Sequence, residues 1–531
     1  MKSYSHCRLY FIVSVCASTL NYYHSLFASS FAPTRRAAGA FVGKRVNASL
    51  LKDDVSTQRF QIESSSSDFV PDTMTSVDLS FSEKDQLPIY ISSSSTVPTQ
   101  QNSSELFSPA VLSAALLITG NTVGASCLAL PNAALGPGIA ATGAIFIFAF
   151  LVHLLSGLTL AEIAIKQHEN SGDDIPSSFK AFADATMENP LAGNTVSFLS
   201  MFTNVCVLVF NLMRAGVTGS SLSESALSFS GAHIDPSTAS IGFAAIVTSI
   251  AVTQSGERLA SIASGAVAVL FASFAAILIP GLANVRDPVG TFFATQTADD
   301  LSSAMLHAAP IFVQAAVYQN IVPSVTKILS YDRQKVISAI FLGSLLPSLM
   351  YFSWTYAVIG GGIDLDAIDN PFLIAFSVAA LYGSALGCVM SIAEELDEWS
   401  NALISKNDGI KESKEAGEET VVASAIAHLE DPAGSTFSWQ SVSLAVSVPL
   451  AAGLIVTSGG HDDVAVLFLG VAGAYGAPLL YGAIPVAMAW SQREKMPYIQ
   501  NLIPTASLGV IGVGSMAFIW QELSNALGQV S

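Results

Sequence analysis

The sequence predicts an all-α integral membrane protein with about 11 transmembrane helices, arranged as a 5+5 inverted repeat in which helices 1 and 6 are broken. Three observations predict this fold. The mean hydropathy is +0.53 and only 12% of the 531 residues are charged, whereas a soluble chain carries about 25% charged residues. Apolar stretches long enough to cross a bilayer recur from residue 109 onward. The first and the sixth stretch each contain polar residues in the middle and a proline shortly afterwards.

The first 107 residues differ in composition from the rest of the chain. Residues 1–52 contain seven Lys and Arg and no Asp or Glu, and the short apolar run over 9–20 suits the core of a signal peptide. The Ala-Ser-Ser-Phe-Ala-Pro string around Phe31 resembles the cleavage motif of bipartite presequences in algae with complex plastids. We therefore expect a plastid-targeting presequence over 1–52 and a disordered Ser-rich tail over 53–107. A secretory signal followed by a disordered tail is the alternative.

The membrane domain, expected over 108–522, contains eleven apolar spans, numbered here in chain order. They are 109–135, 139–163, 196–218, 238–253, 259–281, 303–329, 334–359, 371–393, 440–457, 464–490 and 500–520. If the N-terminus faces the inside, the inside loops and the ends of spans 6 and 7 beside them contain eleven Lys and Arg, whereas the outside loops contain Arg286 alone. Because basic loops stay inside, we expect the N-terminus on the inside, which is the stromal face if a plastid membrane holds the chain.

Spans 1 and 6 are too polar in the middle for plain membrane anchors. In span 1 small and polar residues lie close together before Pro131, and in span 6 a polar group lies between Pro310 and Pro323. Backbone groups freed at that depth need partners that lipid cannot supply. Interrupted helices at matching positions in two halves are typical of carriers that bind their cargo between the two breaks.

The chemistry of two helix breaks suits an amino acid. The N-terminus of a half-helix offers N–H groups to a carboxylate, and its C-terminus offers carbonyls to an ammonium group or a cation. Close helix packing is the alternative role of the small residues. The residues that we expect to line the substrate site are Gly120, Asn121, Thr122, Gly124, Ala125, Ser126, Phe312, Gln314, Tyr318, Gln319 and Asn320.

A family resemblance rests on the same two segments. The string from Thr119 to Pro131 resembles the first-helix motif of the tryptophan/tyrosine permease family, and the string from Pro310 to Pro323 resembles its sixth-helix motif. The resemblance covers about residues 108–522. It implies the fold of the sodium-coupled leucine transporter and transport of aromatic amino acids driven by a proton gradient.

The sequence departs from the family pattern at several positions. Asn121 replaces a small residue or Thr, and Ser126 with Cys127 replaces Gly-Met. Gln319 replaces a frequent His before Asn320, which removes a group that titrates near neutral pH.

Ion coupling needs groups that the breaks do not provide. A charged side chain at the bilayer centre costs roughly 2.5–3.5 kcal/mol, so we consider Glu162 of span 2 and His307 of span 6 as proton-coupling candidates. Alternatively, Glu162 is a solvated residue at the end of its helix, and His307 has a packing role. Ser384 of span 8 is the candidate for a sodium ligand beside the first break.

Other classes of protein fit the sequence less well. The net charge of −18 argues against a nucleic-acid partner. The sequence lacks metal-ligand spacings and a Gly-rich phosphate loop, so we expect no metal, no cofactor and no enzyme activity. A channel would require rings of charges or carbonyls. We therefore expect an alternating-access carrier whose partners are an aromatic amino acid, a coupling proton and the lipid bilayer. A carrier of small neutral amino acids or related amines, with coupling to sodium, is the alternative.

Overall fold

The structure is a computed structural model. It describes residues 108–172, 175–176, 178–226, 234–254, 256–294, 300–365, 370–412, 438–457, 464–493 and 505–528. The predicted presequence and Ser-rich tail lie outside these residues. Within the described ranges the regular elements are all helical.

The first predicted repeat contains spans 1 to 5. Span 1 consists of α1 and α2, spans 2 to 5 are α3, α5, α6 and α7, and the short helices α4 and α8 lie beside them. Their bounds are α1 Pro109–Thr122, α2 Leu130–Ala134, α3 Ile139–Ser171, α4 Phe179–Met187, α5 Pro190–Ala226, α6 Pro236–Thr253, α7 Gly256–Ala283 and α8 Pro288–Phe293.

The second half contains spans 6 to 11. Span 6 consists of α9 and α10, spans 7 to 9 are α11 to α13, span 10 is α14 and α15 with two π-helical turns between them, and span 11 is α16. Their bounds are α9 Leu301–Ala315, α10 Val322–Ile328, α11 Arg333–Gly361, α12 Pro371–Glu412, α13 Trp439–Thr457, α14 Val464–Val471, α15 Ile484–Ser491 and α16 Thr505–Gly528.

The described residues form a multi-pass membrane protein. Nine helical segments among them are long and apolar enough to cross a bilayer, and α1 is a shorter apolar helix. The predicted total of eleven spans stays a prediction. The helix of span 8 extends beyond the apolar stretch that ends at residue 393 and continues as α12 to Glu412. Hydropathy marks where a helix leaves the membrane, whereas Glu, Leu, Ala and Lys keep favouring the helix beyond that point.

Several helices begin where the sequence provides a cap followed by proline. Ser108 and Asp235 accept hydrogen bonds from the first turns of α1 and α6, and a proline follows each of them. A proline at the first helical position loses no hydrogen bond, and its backbone is already set for the helix. Helix α3 ends at Gly172, whose φ of 73° is a left-handed conformation that glycine adopts without strain.

The two breaks lie where the chain passes between two hydrophobic clusters. One cluster contains Val111 and Ile118 of α1 with Val322 of α10. The other contains Val123 and Phe312, which lie at or beyond the breaks. We call the end of the bundle where α1 begins the N-side, and the opposite end the far side.

Helix packing follows the predicted repeat. Span 1 of the first half packs along span 7 of the second half, and span 6 of the second half packs along span 2 of the first half. Such reciprocal contacts are expected between two related halves. Spans 3 and 8, which correspond to each other in the two halves, form an extensive interface. Three basic residues of predicted inside loops, Lys166, Lys180 and Arg333, form ion pairs on the N-side. Which compartment this side faces stays a prediction.

Candidate functional site

Span 1 is broken at the predicted position. Helix α1 ends at Thr122, Val123 and Gly124 are extended, and a 3₁₀ turn begins at Ala125. A Cβ atom added to Gly124 would lie 3.3 Å from Cβ and Oγ of Ser384 in span 8. Glycine therefore lets span 8 approach the break more closely than a larger residue would.

Two aromatic side chains of span 7 satisfy carbonyls that this break leaves free. The hydroxyl of Tyr351 donates to the Thr122 carbonyl at 2.7 Å, and Nε1 of Trp354 donates to the Cys127 carbonyl at 3.0 Å. Both aromatic residues are buried. The Tyr351 hydroxyl also lies against the backbone of Gly124 and the side chain of Ser126. The sequence analysis did not single out this pair, although a Tyr and a Trp in an apolar span need hydrogen-bond partners when buried.

Span 6 is broken as well, and His153 of span 2 holds its break. Nε2 of His153 donates to the Val313 carbonyl at 3.0 Å, near the end of α9. The Gln319 side-chain amide donates to Nδ1 of His153 at 2.6 Å, and the Tyr318 hydroxyl donates to the His153 carbonyl at 2.9 Å. These partners define a neutral histidine with its proton on Nε2, a tautomer assigned from the hydrogen-bond network. Tyr318 and Gln319 are fully buried and bond toward span 2.

The two breaks meet through Asn121 and Asn320. Nδ2 of Asn121 donates to Oδ1 of Asn320 at 3.1 Å. Both residues are exposed, although each lies in the middle of its span. Polar residues that are exposed at this depth are expected to line a water-filled path and not to face lipid. The fold therefore brings these two predicted site residues, one from each break, into direct contact.

A second polar contact lies beside the first break. Nδ2 of Asn211 in span 3 donates to Oγ of Ser384 at 2.9 Å. Asn211 is fully buried, and its Oδ1 has no hydrogen-bond partner among the described residues. A buried amide oxygen without a donor is costly, so this position suits a donor group or a cation from a ligand. The Gln314 side-chain oxygen in span 6 is another buried acceptor without a described partner.

Aromatic side chains border the breaks on the side of spans 2 and 7. Phe312 is fully buried and meets Phe146 edge to face, with 4.7 Å between the ring centroids. A small cavity lies in the same region, and its walls include Thr122, Phe146 and Tyr318. This cavity has room only for a group the size of a water molecule. The apolar surface that suits an aromatic ring is therefore the Phe146–Phe312 pair itself.

The three coupling candidates lie at different depths. Glu162 forms a two-point ion pair with Arg333, with contacts of 3.0 Å and 2.9 Å. His307 is exposed, and its Nδ1 lies 2.7 Å from the Ser303 carbonyl. Glu162 lies more than two helical turns beyond His153, the residue of span 2 that bonds the break of span 6. His307 lies more than two turns before the end of α9, where span 6 breaks. Ser384 alone of the three lies beside a break.

The sequence comparisons find one family and several bacterial transport proteins that are similar to this chain. Residues 107–369 match the model of the tryptophan/tyrosine permease family, a range that contains both breaks and ends before α12. A tryptophan-specific transport protein of Pseudomonas aeruginosa is 24% identical over 54% of this chain and 72% of its own length. A low affinity tryptophan permease of Escherichia coli O157:H7 is 24% identical, with shares of 53% and 71%. Tyrosine-specific transport system 2 of Haemophilus influenzae is 26% identical, with shares of 46% and 57%.

Among solved structures, a manganese transporter of Eremococcus coleocola aligns with 82% of this chain and 95% of its own. The sequence identity is 14% and the TM-score is 0.36.

Proposed function

We infer that this chain, which belongs to the tryptophan/tyrosine permease family, carries aromatic amino acids across a membrane as a secondary transporter. It is a transport protein and not an enzyme, since the matching family and the similar bacterial proteins are permeases and transport proteins. Tryptophan and tyrosine are the proposed cargo, because the similar proteins bear these specificities in their names.

The observation that supports this function best is the contact between the two breaks. The 3.1 Å bond from Asn121 to Asn320 joins the broken parts of spans 1 and 6 at one depth. At this depth α1 ends with carbonyls at Thr122, and a new turn begins with N–H groups at Ala125. Those two ends suit the ammonium group and the carboxylate of one amino acid.

The ring of the substrate needs an apolar wall with few polar anchors. Phe312 and Phe146 provide such a wall beside the break of span 6. The acceptors without described partners, Oδ1 of Asn211 and Oε1 of Gln314, suit the ammonium group, the indole N–H or the phenol O–H of the substrate. A ligand donor would remove the cost of leaving these buried oxygens unpaired.

A proton gradient is the proposed energy source, and alternating access is the proposed mechanism. Spans 1 and 6 break where they cross between the two hydrophobic clusters, so the half-helices on either side of the site are able to move separately. Glu162 contributes less to this proposal than the sequence indicated, because its carboxylate is already paired with Arg333.

Sodium coupling, or a cargo of small neutral amino acids, is the second candidate. One observation favours it: the Ser384 hydroxyl lies beside Gly124 and accepts from Nδ2 of Asn211, whose own Oδ1 has no partner among the described residues. Oxygen ligands of this kind suit hard cations. Bulky Phe312 argues against a small cargo, because a small substrate would leave the apolar wall unfilled.

Uptake into proteoliposomes tests the proposal. The purified chain should concentrate labelled tryptophan and tyrosine when an inward proton gradient is applied, and each unlabelled amino acid should compete with the other. Parallel vesicles with a sodium gradient test the second candidate. No uptake or exchange of any aromatic amino acid under either gradient would exclude the proposed cargo.

The proposed location is a plastid membrane, with the N-side toward the stroma. The basic presequence over 1–52 supports this location. A fluorescent fusion should enter the plastid with residues 1–52 and remain outside it without them. Plastid import of the shortened fusion would contradict the proposed role of the presequence.

A further inference from the structure

A row of side-chain hydrogen bonds joins spans 3 and 8 from the first break to the N-side. Its members on span 3 are seven residues apart and therefore share one helical face. From the break outward, the bonds are Asn211 to Ser384 at 2.9 Å, Asn204 to Ser391 at 3.1 Å, and Ser197 to Glu395. We call these six residues the polar row. One end of the row packs against Gly124, and the other end is a carboxylate.

The carboxylate at the end of the row is buried without a cation. Glu395 is 8% exposed and accepts a hydrogen bond from the Ser197 hydroxyl. Among the described residues it forms no ion pair, because nearby Lys180 lies 3.0 Å from Glu398 and 3.5 Å from Asp184 instead. Burying a carboxylate without a cation costs free energy. Ionisable groups buried at such positions in membrane proteins are usually functional.

The surroundings of Glu395 contain few groups able to take a proton in its place. Glu394 and Glu398 are on the same helix, Lys180 faces it from α4, and Tyr481 faces it from span 10. Lys180 is engaged in ion pairs and Tyr481 is buried. Glu395 is therefore the buried carboxyl group of this cluster that accepts a proton without giving up an ion pair.

Glu162 provides a direct contrast within the same molecule. It is also 8% exposed, but the Arg333 guanidinium holds both of its oxygens. Protonation of Glu162 would break a two-point ion pair, whereas protonation of Glu395 changes only a hydroxyl contact. Protonation of Glu162 would remove the carboxylate that the partly exposed Arg333 guanidinium binds. The two equally buried carboxyl groups therefore differ in what a proton would cost them.

We propose that Glu395 binds and releases the coupling proton, and that the interface along the polar row couples this event to the break of span 1. This inference rests on the proposed function as a carrier. The carboxylate takes a proton from water on one side of the membrane and becomes a neutral carboxylic acid. The proton later returns to water on the other side, which regenerates the carboxylate, and no covalent bond to the substrate forms. The charge that the Ser197 hydroxyl faces changes with each cycle.

Two transport measurements on the full chain in proteoliposomes separate coupling from binding. Exchange of labelled for unlabelled tryptophan across the vesicle needs no net proton movement, whereas concentrative uptake under a proton gradient does. Glu395→Gln should keep exchange and lose gradient-driven accumulation. Its exchange rate should also lose the pH dependence of the native protein. Glu395→Asp, which retains a carboxyl group, should restore accumulation.

Glu394→Gln is the matched control, because Glu394 is the adjacent residue but is exposed. It should keep both exchange and accumulation. Accumulation by Glu395→Gln would overturn the proposal, and loss of its exchange in correctly folded protein would reduce Glu395 to a structural role. If Glu395→Gln does not fold, Ser197→Ala replaces it, and an unchanged pH dependence of its accumulation would also overturn the proposal.

The same experiment distinguishes the inference from the proposed function. A native protein that exchanges no aromatic amino acid contradicts the proposed cargo. A native protein that exchanges tryptophan, but does not accumulate it under a proton gradient, leaves the proposed cargo intact and contradicts both the proton gradient as the energy source and the role of Glu395.

Discussion

The side-chain amide of Asn121 donates to the side-chain oxygen of Asn320 at 3.1 Å, and this bond joins the broken parts of two spans that are 199 residues apart in sequence. Both side chains are exposed, so a substrate that enters between the breaks meets this pair. The bond is therefore well placed to hold the two half-helices in register while the site is empty.

The first prediction concerns this bond. Asn121→Ala and Asn320→Ala should each raise KM for tryptophan uptake about fivefold, since a hydrogen bond of this kind contributes about 1 kcal/mol. The double variant should be little worse than either single one, because both single changes remove the same bond. Initial uptake rates in proteoliposomes measure this. Fully additive effects would show that the two amides act independently.

The second prediction concerns Gly124. Gly124→Leu should abolish transport while membrane insertion persists, because even a Cβ atom would lie 3.3 Å from Ser384. Gly242→Leu is the control, since a Cβ atom at Gly242 would meet nothing within 4 Å. Uptake rates and the amount of protein in the membrane fraction are compared for the two variants. Normal uptake by Gly124→Leu would place the substrate elsewhere.

The third prediction concerns the aromatic residue that fills the break. Tyr351→Phe should lower the free energy of unfolding by about 1–3 kcal/mol, because the Thr122 carbonyl would remain buried without its donor. Tyr356→Phe in the same helix is the control, as its hydroxyl donates to Pro288 at an exposed position. Thermal unfolding of the purified protein in detergent compares them. Equal losses in both variants would contradict a special role for Tyr351.

The fourth prediction concerns His153 and Gln319, the pair that holds the second break. Gln319→His alone should lower Tm, because it replaces the amide that donates to Nδ1 of His153 at 2.6 Å. Adding His153→Gln should restore part of the loss by rebuilding an amide–imidazole contact with the two residue types exchanged. A double variant with a lower Tm than Gln319→His would show that the two positions are not interchangeable.

The polar row illustrates which parts of the site the sequence was able to predict. Asn204 and Asn211 lie seven residues apart, a spacing that places both on one face of span 3, and both bond to span 8. Their partners Ser384 and Ser391 lie more than 170 residues away in sequence. The sequence indicated Ser384 beside the first break, but no local pattern pairs it with Asn211 or places Glu395 against Ser197.

The breaks were predictable for a physical reason. Lipid offers no hydrogen bonds, so glycine, polar residues and proline in the middle of an apolar span have a restricted set of uses. The sequence therefore predicted where spans 1 and 6 end and restart. It did not indicate that Tyr351 and Trp354 satisfy the freed carbonyls, because those donors come from a different span.

The sequence by itself determined the membrane class, the helical spans and the positions of the two breaks, since hydropathy and backbone hydrogen bonding act over short stretches of chain. The tertiary structure alone decided which polar groups are already paired. It directed Gln319 toward His153, paired Glu162 with Arg333, and left Glu395 buried with a hydroxyl as its hydrogen-bond partner among the described residues. Those outcomes depend on contacts between spans that are distant in sequence, and the partner of a buried polar group decides whether it serves stability or transport.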